Sequence, residues 1–139
     1  MIVVPFENWH WEFFCPAWPI FKNGVDFERA GCSYTLTENG ELYGVFGGVP
    51  LWKGVIETFL IPGDKFAERK LSCIKAMKRH EEMARKALGI WREQTTIPVD
   101  NKVAIRWLEF LGYEQEGVLR KFGPDGKDHY RFARLYDGN

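Results

Sequence analysis

The chain is poor in the residues that usually announce a reactive site. It holds three histidines and three cysteines among 139 residues. His10, His80 and His129 are scattered, so no metal set and no nucleophile with its base is spelled out. Cys15, Cys32 and Cys73 are odd in number, form no CxxC pair and have no histidine at ligand spacing. This excludes a disulfide framework or a zinc ribbon and implies free thiols in a reducing compartment. Charge of either sign is not in excess, because 19 Lys and Arg offset 19 Asp and Glu. A dedicated nucleic-acid binder carries a large basic surplus, so nucleic acid is not the expected partner. Long apolar runs are missing as well, and no window approaches the roughly 20 apolar residues of a membrane span. The start, Met1-Ile2-Val3-Val4-Pro5, lacks the basic end and the sustained apolar stretch of a leader. Together these absences imply a soluble protein of the cytoplasm with no membrane contact.

What the chain does have is apolar and aromatic. A hydrophobic fraction of 45% over this length suffices for one domain with its own core. Residues 1–30 are dense in rings: Phe6, Trp9, Trp11, Phe13, Phe14, Trp18, Phe21 and Phe27. Pro16 and Pro19 forbid one continuous helix there. The expected form is a short helix or an extended arm over the core, its tryptophans packing as core or lid, or lining a ligand groove or a subunit interface.

Periodicity places the remaining elements. Asn39-Gly40 between two alternating runs, residues 32–38 and 41–49, is a strong hairpin signal. After a turn at 50–54, residues 55–61 form a near-continuous apolar strand, expected to be central and covered on both faces. Pro62-Gly63 stops it. Asp64 is a good cap for a helix over 65–88, with Ala67, Leu71, Ile74, Met77, Ala84 and Leu88 on one stripe and Gly89 as its stop. The opposite face mixes Lys and Arg with Asp and Glu, which reads as a solvated surface. A further strand spans 90–99. Asp100 or Asn101 then caps a helix whose apolar stripe is Val103, Ala104, Trp107, Leu108 and Leu111, and Gly112 ends it before Tyr113 enters the next strand. The last strands form a hairpin across Gly123-Pro124-Asp125-Gly126.

That succession resembles the GCN5-related N-acetyltransferase (GNAT) superfamily over roughly residues 30–136. The C-terminal part is most similar to the branch that acetylates ribosomal-protein N-termini. The residues that carry the likeness are Asn101, Ala104, Leu108, Glu109, Gly112 and Tyr113, then Glu116-Gly117-Val118-Leu119-Arg120, and finally Asp128 and Tyr130. The resemblance implies an α/β (α+β) fold: a mixed, mostly antiparallel sheet with splayed central strands flanked by helices. It implies acetyl-CoA as cofactor and an amine as substrate, whether a protein N-terminus, a lysine or a small amine.

Three requirements of that chemistry fall on named residues. The pantetheine arm would lie between two splayed strands and pair with exposed backbone at Phe59, Leu60 and Ile61 and on the strand from Ile90. The pyrophosphate would lie at the start of the long helix, where unpaired amides and the helix dipole favour anions. The family turn there is an Arg or Gln followed by Gly-x-Gly or Gly-x-Ala. This chain has one early glycine, Gly63, so Lys65, Arg69 and Lys70 are expected to supply charge in place of geometry, with Asn101 and Arg106 completing the cofactor set. Proton removal from the amine needs a base. Glu57 on the central strand is the first candidate and Glu93 on its neighbour the second. Leu108 stands where many relatives place a tyrosine, a residue that the ribosomal-type branch often lacks too.

A second resemblance is to small podovirus proteins of the internal virion or morphogenesis kind, which share an asparagine-capped helix matched by Asn101, Ile105, Arg106, Leu108 and Gly112. It implies a phage-encoded protein in a virion or host cytoplasm. Such a protein would keep the fold without catalysis and dock on a virion or host protein through its aromatic arm.

Overall fold

A computed structural model describes residues 1–7, 9–10 and 33–136. Most of the aromatic arm, with Cys15 and Cys32, lies outside the described residues. The strands are β1 (Ile2–Pro5), β2 (Ser33–Glu38), β3 (Glu41–Trp52), β4 (Val55–Pro62), β5 (Arg92–Pro98), β6 (Glu114–Leu119) and β7 (His129–Leu135). Among the described residues two α-helices, α1 (Lys70–Leu88) and α2 (Lys102–Phe110), complete the order. The strands follow one another across the sheet as β1-β2-β3-β4-β5-β7-β6. β4 and β5 are parallel, whereas β1–β2, β2–β3, β5–β7 and β6–β7 are antiparallel. Among the described residues, no helix is long and apolar enough to cross a membrane.

The chain divides into two compact units. The first comprises Met1–Val49 and Thr58–Leu88, the second Pro50–Glu57 and Gly89–Asn139. In the first unit, Asn39 and Gly40 take φ of 51° and 81°, the paired left-handed geometry of a tight hairpin turn, and Glu38 faces Glu41 across it. Phe6, Leu42, Val45 and Ile61 form a buried cluster with Phe59 packed against it. Cys73, Ala76 and Met77 are the buried stripe of α1, spaced by three and four as a helix facing a sheet requires. Burial pushes the Cys73 thiol up to about 11.

The long helix begins later than its sequence suggests. A 3-10 turn, Phe66–Arg69, precedes α1, and the Phe66 amide donates to the Gly63 carbonyl at 3.2 Å and the Glu68 amide to Lys65 at 3.1 Å. These tighter bonds absorb the first amides, and among the described residues Asp64 makes no capping bond. The expected turn at 50–54 is shorter too. β3 runs through Pro50 to Trp52, because proline's fixed φ suits extended chain and only its amide is lost.

In the second unit, Gly54 makes the bend with φ of 83°, and a Cβ there would lie 2.2 Å from the Trp91 ring. Its carbonyl accepts from the amides of Trp91 and Arg92 at 2.9 and 3.0 Å, which seats the start of β5. Asn101, not Asp100, caps α2, its Oδ1 accepting from the Ala104 amide at 3.2 Å. Gly112 closes the helix at φ of 91°. Its amide bonds to the Glu109 carbonyl and that of Tyr113 to Leu108, the paired closure that a left-handed glycine allows.

Candidate active site

The parallel ladder of β4 and β5 pairs Val55 with Arg92, Ile56 with Glu93 and Glu57 with Gln94. Glu57 therefore stands at its last pair, and β4 runs on to Pro62. Side chains alternate along strands, so Glu57, Gln94 and Arg92 share one face of the second unit, joined there by Arg131 of β7, which lies opposite Thr96. On that face Arg131 Nη1 donates to both oxygens of Glu57 at 2.8 Å. Gln94 Nε2 donates to Glu57 Oε2 at 2.7 Å. The chain of bonds continues outward. Arg92 Nε donates to Gln94 Oε1 at 2.9 Å, and its two terminal nitrogens grip Glu116 at 3.0 and 2.5 Å. That fork-to-fork bond to Glu116 raises the Arg92 guanidinium and holds the Glu116 carboxyl below its ordinary value. The network is half-buried, with Glu57 31% and Arg131 22% exposed, so its charges interact strongly yet remain within reach of solvent.

Glu93 points to the opposite face. Only 4% exposed, it accepts from Arg134 Nη2 at 2.5 Å and from the Tyr113 hydroxyl at 3.2 Å. Arg134 also donates to the Leu111 carbonyl at 2.8 Å and lies over the Tyr113 ring, 4.7 Å from its centroid. Burial pulls the Arg134 guanidinium down, but Tyr113 and Glu93 outweigh it and the net direction is up. The two candidate bases thus do not meet. The pleat sends Glu57 to a solvated network and Glu93 into an enclosed ion pair that ties β5, β7 and the end of α2 together.

The residues expected to hold a cofactor are distributed differently. On β4, Phe59 packs against the first unit's core, Ile61 is 2% exposed and Leu60 is exposed. Lys65 donates to Glu41 at 2.7 Å, which raises its ammonium. Arg69 is paired with Glu38, a carboxylate held low by its bond to the amino terminus at 3.0 Å and by Arg69 itself. Lys70 is the exposed first residue of α1, Asn101 is committed to its cap, and Arg106 lies exposed on α2.

A diphosphate at the start of α1 would need backbone it can approach and cations it can claim. Gly63 is buried and its amide donates to the Tyr43 carbonyl at 2.9 Å. Asp64 and Glu68 flank the turn with negative charge, while Lys65 and Arg69 already answer Glu41 and Glu38. The residues present do not fit the diphosphate of coenzyme A in this arrangement.

Sequence reasoning missed Arg131, Gln94, Arg92 and Glu116. The signal that was present is the alternation Arg92-Glu93-Gln94, in which two residues of one polarity pattern flank an acid of the other face; it becomes informative only once the β5–β7 register is known.

Comparison with solved structures places this architecture. The chain superposes on Ard1 from Thermoplasma volcanium with a TM-score of 0.79 at 16% identity, covering 96% of each chain. A ribosomal-protein-alanine N-acetyltransferase from Escherichia coli gives 0.71 at 17%, covering 96% of this chain and 92% of that one. A variant of the spermidine N-acetyltransferase from Vibrio cholerae gives 0.72 at 14%, covering 97% and 95%. The chain has the GNAT fold. No protein-family model matches it, and neither does any curated protein. The resemblance to podovirus proteins gains no support from these comparisons.

Proposed function

We propose that the chain is an N-acyltransferase that moves an acetyl-sized acyl group from a thioester to an amine, with Glu57 taking the amine's proton. The observation that carries this reading is the position of Glu57. It is a half-exposed carboxylate at the final pair of the one parallel ladder among the described strands, held by Arg131 and Gln94. Oε1 receives a single bond and Oε2 two, so Oε1 keeps a lone pair for an incoming N–H. The structural neighbours support the class, because the proteins they represent are N-acetyltransferases of a spermidine and of a ribosomal-protein alanine.

In the reaction the amine nitrogen attacks the thioester carbon. The C–N bond forms, the C–S bond breaks, the amine's proton passes to Glu57 Oε1 and on to water, and the thiolate leaves and is protonated by solvent. The donor's arm would lie along β4 at Phe59, Leu60 and Ile61, where backbone rather than side chains does the holding.

The test follows thiol release from acetyl-CoA and, separately, from acetyl-pantetheine, which lacks the diphosphate, over a panel of amines. Amine-dependent release is expected from both donors, with kcat/KM values within about tenfold of each other, and Glu57→Gln should lower it by about 10²-fold with the fold retained by circular dichroism. Absence of amine-dependent release from either donor overturns the reading.

A further inference from the structure

The two arginines of the Glu57 network are not equivalent. Arg92 commits all three of its nitrogens, Nε to Gln94 and both Nη to Glu116. Arg131 commits one, with Nη1 bridging both oxygens of Glu57. Its Nη2 and Nε make no hydrogen bond among the described residues, although the Glu116 carboxylate also feels the charge of Arg131. A guanidinium that meets a carboxylate through one nitrogen leaves the rest of its planar fork for a second carboxylate, and bidentate capture is what that fork does best. Beside it, Glu57 Oε1 still accepts.

We infer that this pair reads a zwitterion: the acceptor is a free amino acid or a close analogue, its ammonium on Glu57 Oε1 and its carboxylate on the open edge of Arg131. The inference rests on the N-acyltransferase reading and names its acceptor class. Charge argues the same way. Glu57, Arg131, Arg92 and Glu116 sum to zero, so a ligand with balanced charges enters without disturbing the balance. A polyamine would bring only cations toward two guanidiniums, and a peptide N-terminus would offer Arg131 a neutral amide where a carboxylate binds far better. The partial burial of both residues keeps the interaction from being screened away, as it would be on an open surface.

The experiment compares L-alanine, L-alaninamide and spermidine as acceptors, and it measures binding of the first two to the protein alone by calorimetry. Alaninamide differs from alanine only in its missing carboxylate charge. Its amine is the less basic and therefore more often neutral, so intrinsic reactivity runs against the expected result. Alanine should exceed alaninamide by at least about tenfold in kcat/KM and bind the protein without donor, whereas alaninamide binds at least about tenfold more weakly. In Arg131→Gln the preference should collapse to a ratio near one. Arg131→Lys, which keeps charge but not the fork, should restore only part of it. Equal use of the three amines overturns the zwitterion inference and leaves the acyltransferase reading standing. No acylation of any amine sinks that reading, and the calorimetry then decides the inference separately: alanine binding that Arg131→Gln abolishes sustains it, and no alanine binding overturns it.

Discussion

Arg134→Met should strongly destabilise the second unit, and the reason is electrostatic. Glu93 is 4% exposed, and its carboxylate has two partners, Arg134 Nη2 at 2.5 Å and the Tyr113 hydroxyl at 3.2 Å. Methionine fills much of the arginine's volume but takes the cation away, leaving a buried negative charge with one hydroxyl. Breaking a buried pair from one side costs roughly 3–5 kcal/mol. At about 4 °C per kcal/mol for a chain of this length, the loss is roughly 12–20 °C in Tm. Glu93→Gln should cost less, about 1–3 kcal/mol, because the amide still accepts from Tyr113 and Arg134 keeps the Leu111 carbonyl and the Tyr113 ring. Changing both sides at once, Glu93→Leu with Arg134→Met, removes both charges and should fall within about 1 kcal/mol of the parent, far from the sum of the singles. Urea denaturation of these proteins together with the Glu93→Leu single, which closes the cycle, measures the coupling. If Arg134→Met costs under about 1 kcal/mol, the pair is hydrated and the reasoning fails. If instead Glu93→Gln leaves the urea midpoint in place and abolishes acyl transfer, Glu93 is a proton-transfer group and not a strut.

Asn101→Ala removes the cap of a nine-residue helix. It should lower stability by about 1 kcal/mol, with kcat/KM for the thioester donor unchanged; a donor-specific rise in KM would instead make Asn101 a cofactor ligand. The His80 ring lies 4.0 Å from that of Tyr34, and its buried Nε2 has no hydrogen-bond partner among the described residues. Burial depresses its folded pKa below the ordinary 6.5. Below that value the unfolded chain takes up a proton that the folded chain resists, so His80's contribution is complete above pH 6.5 and is lost as the pH falls from 6.5 towards the depressed folded value. His80→Phe should flatten the fall of the urea midpoint between pH 7.5 and 5.5, leaving the part due to His129, which burial also depresses. An unaltered slope would show that His80 is hydrated.

The elements legible in the sequence are those whose instructions are local. Asn39-Gly40 dictates its own turn, and Asn101 and Gly112 mark both ends of α2, because a capping oxygen and a left-handed glycine act over only a few residues. The site was not local. Glu57 and Glu93 look alike in the sequence, two acids on neighbouring strands, and only the register of Val55 with Arg92 sends them to opposite faces. Likewise, the charges of Lys65 and Arg69 are plain in the chain, but the acids that answer them, Glu41 and Glu38, lie across the β2–β3 turn, brought there by folding. What decides the role of a strand glutamate is therefore the state of its arginine. Glu93's partner is enclosed and bonded further to a backbone carbonyl, so that acid is held in place. Glu57's partner keeps most of its fork unused at a partly exposed position, and an ion pair with unspent donors at the end of a ladder is where the proposed substrate would enter the network without first breaking it.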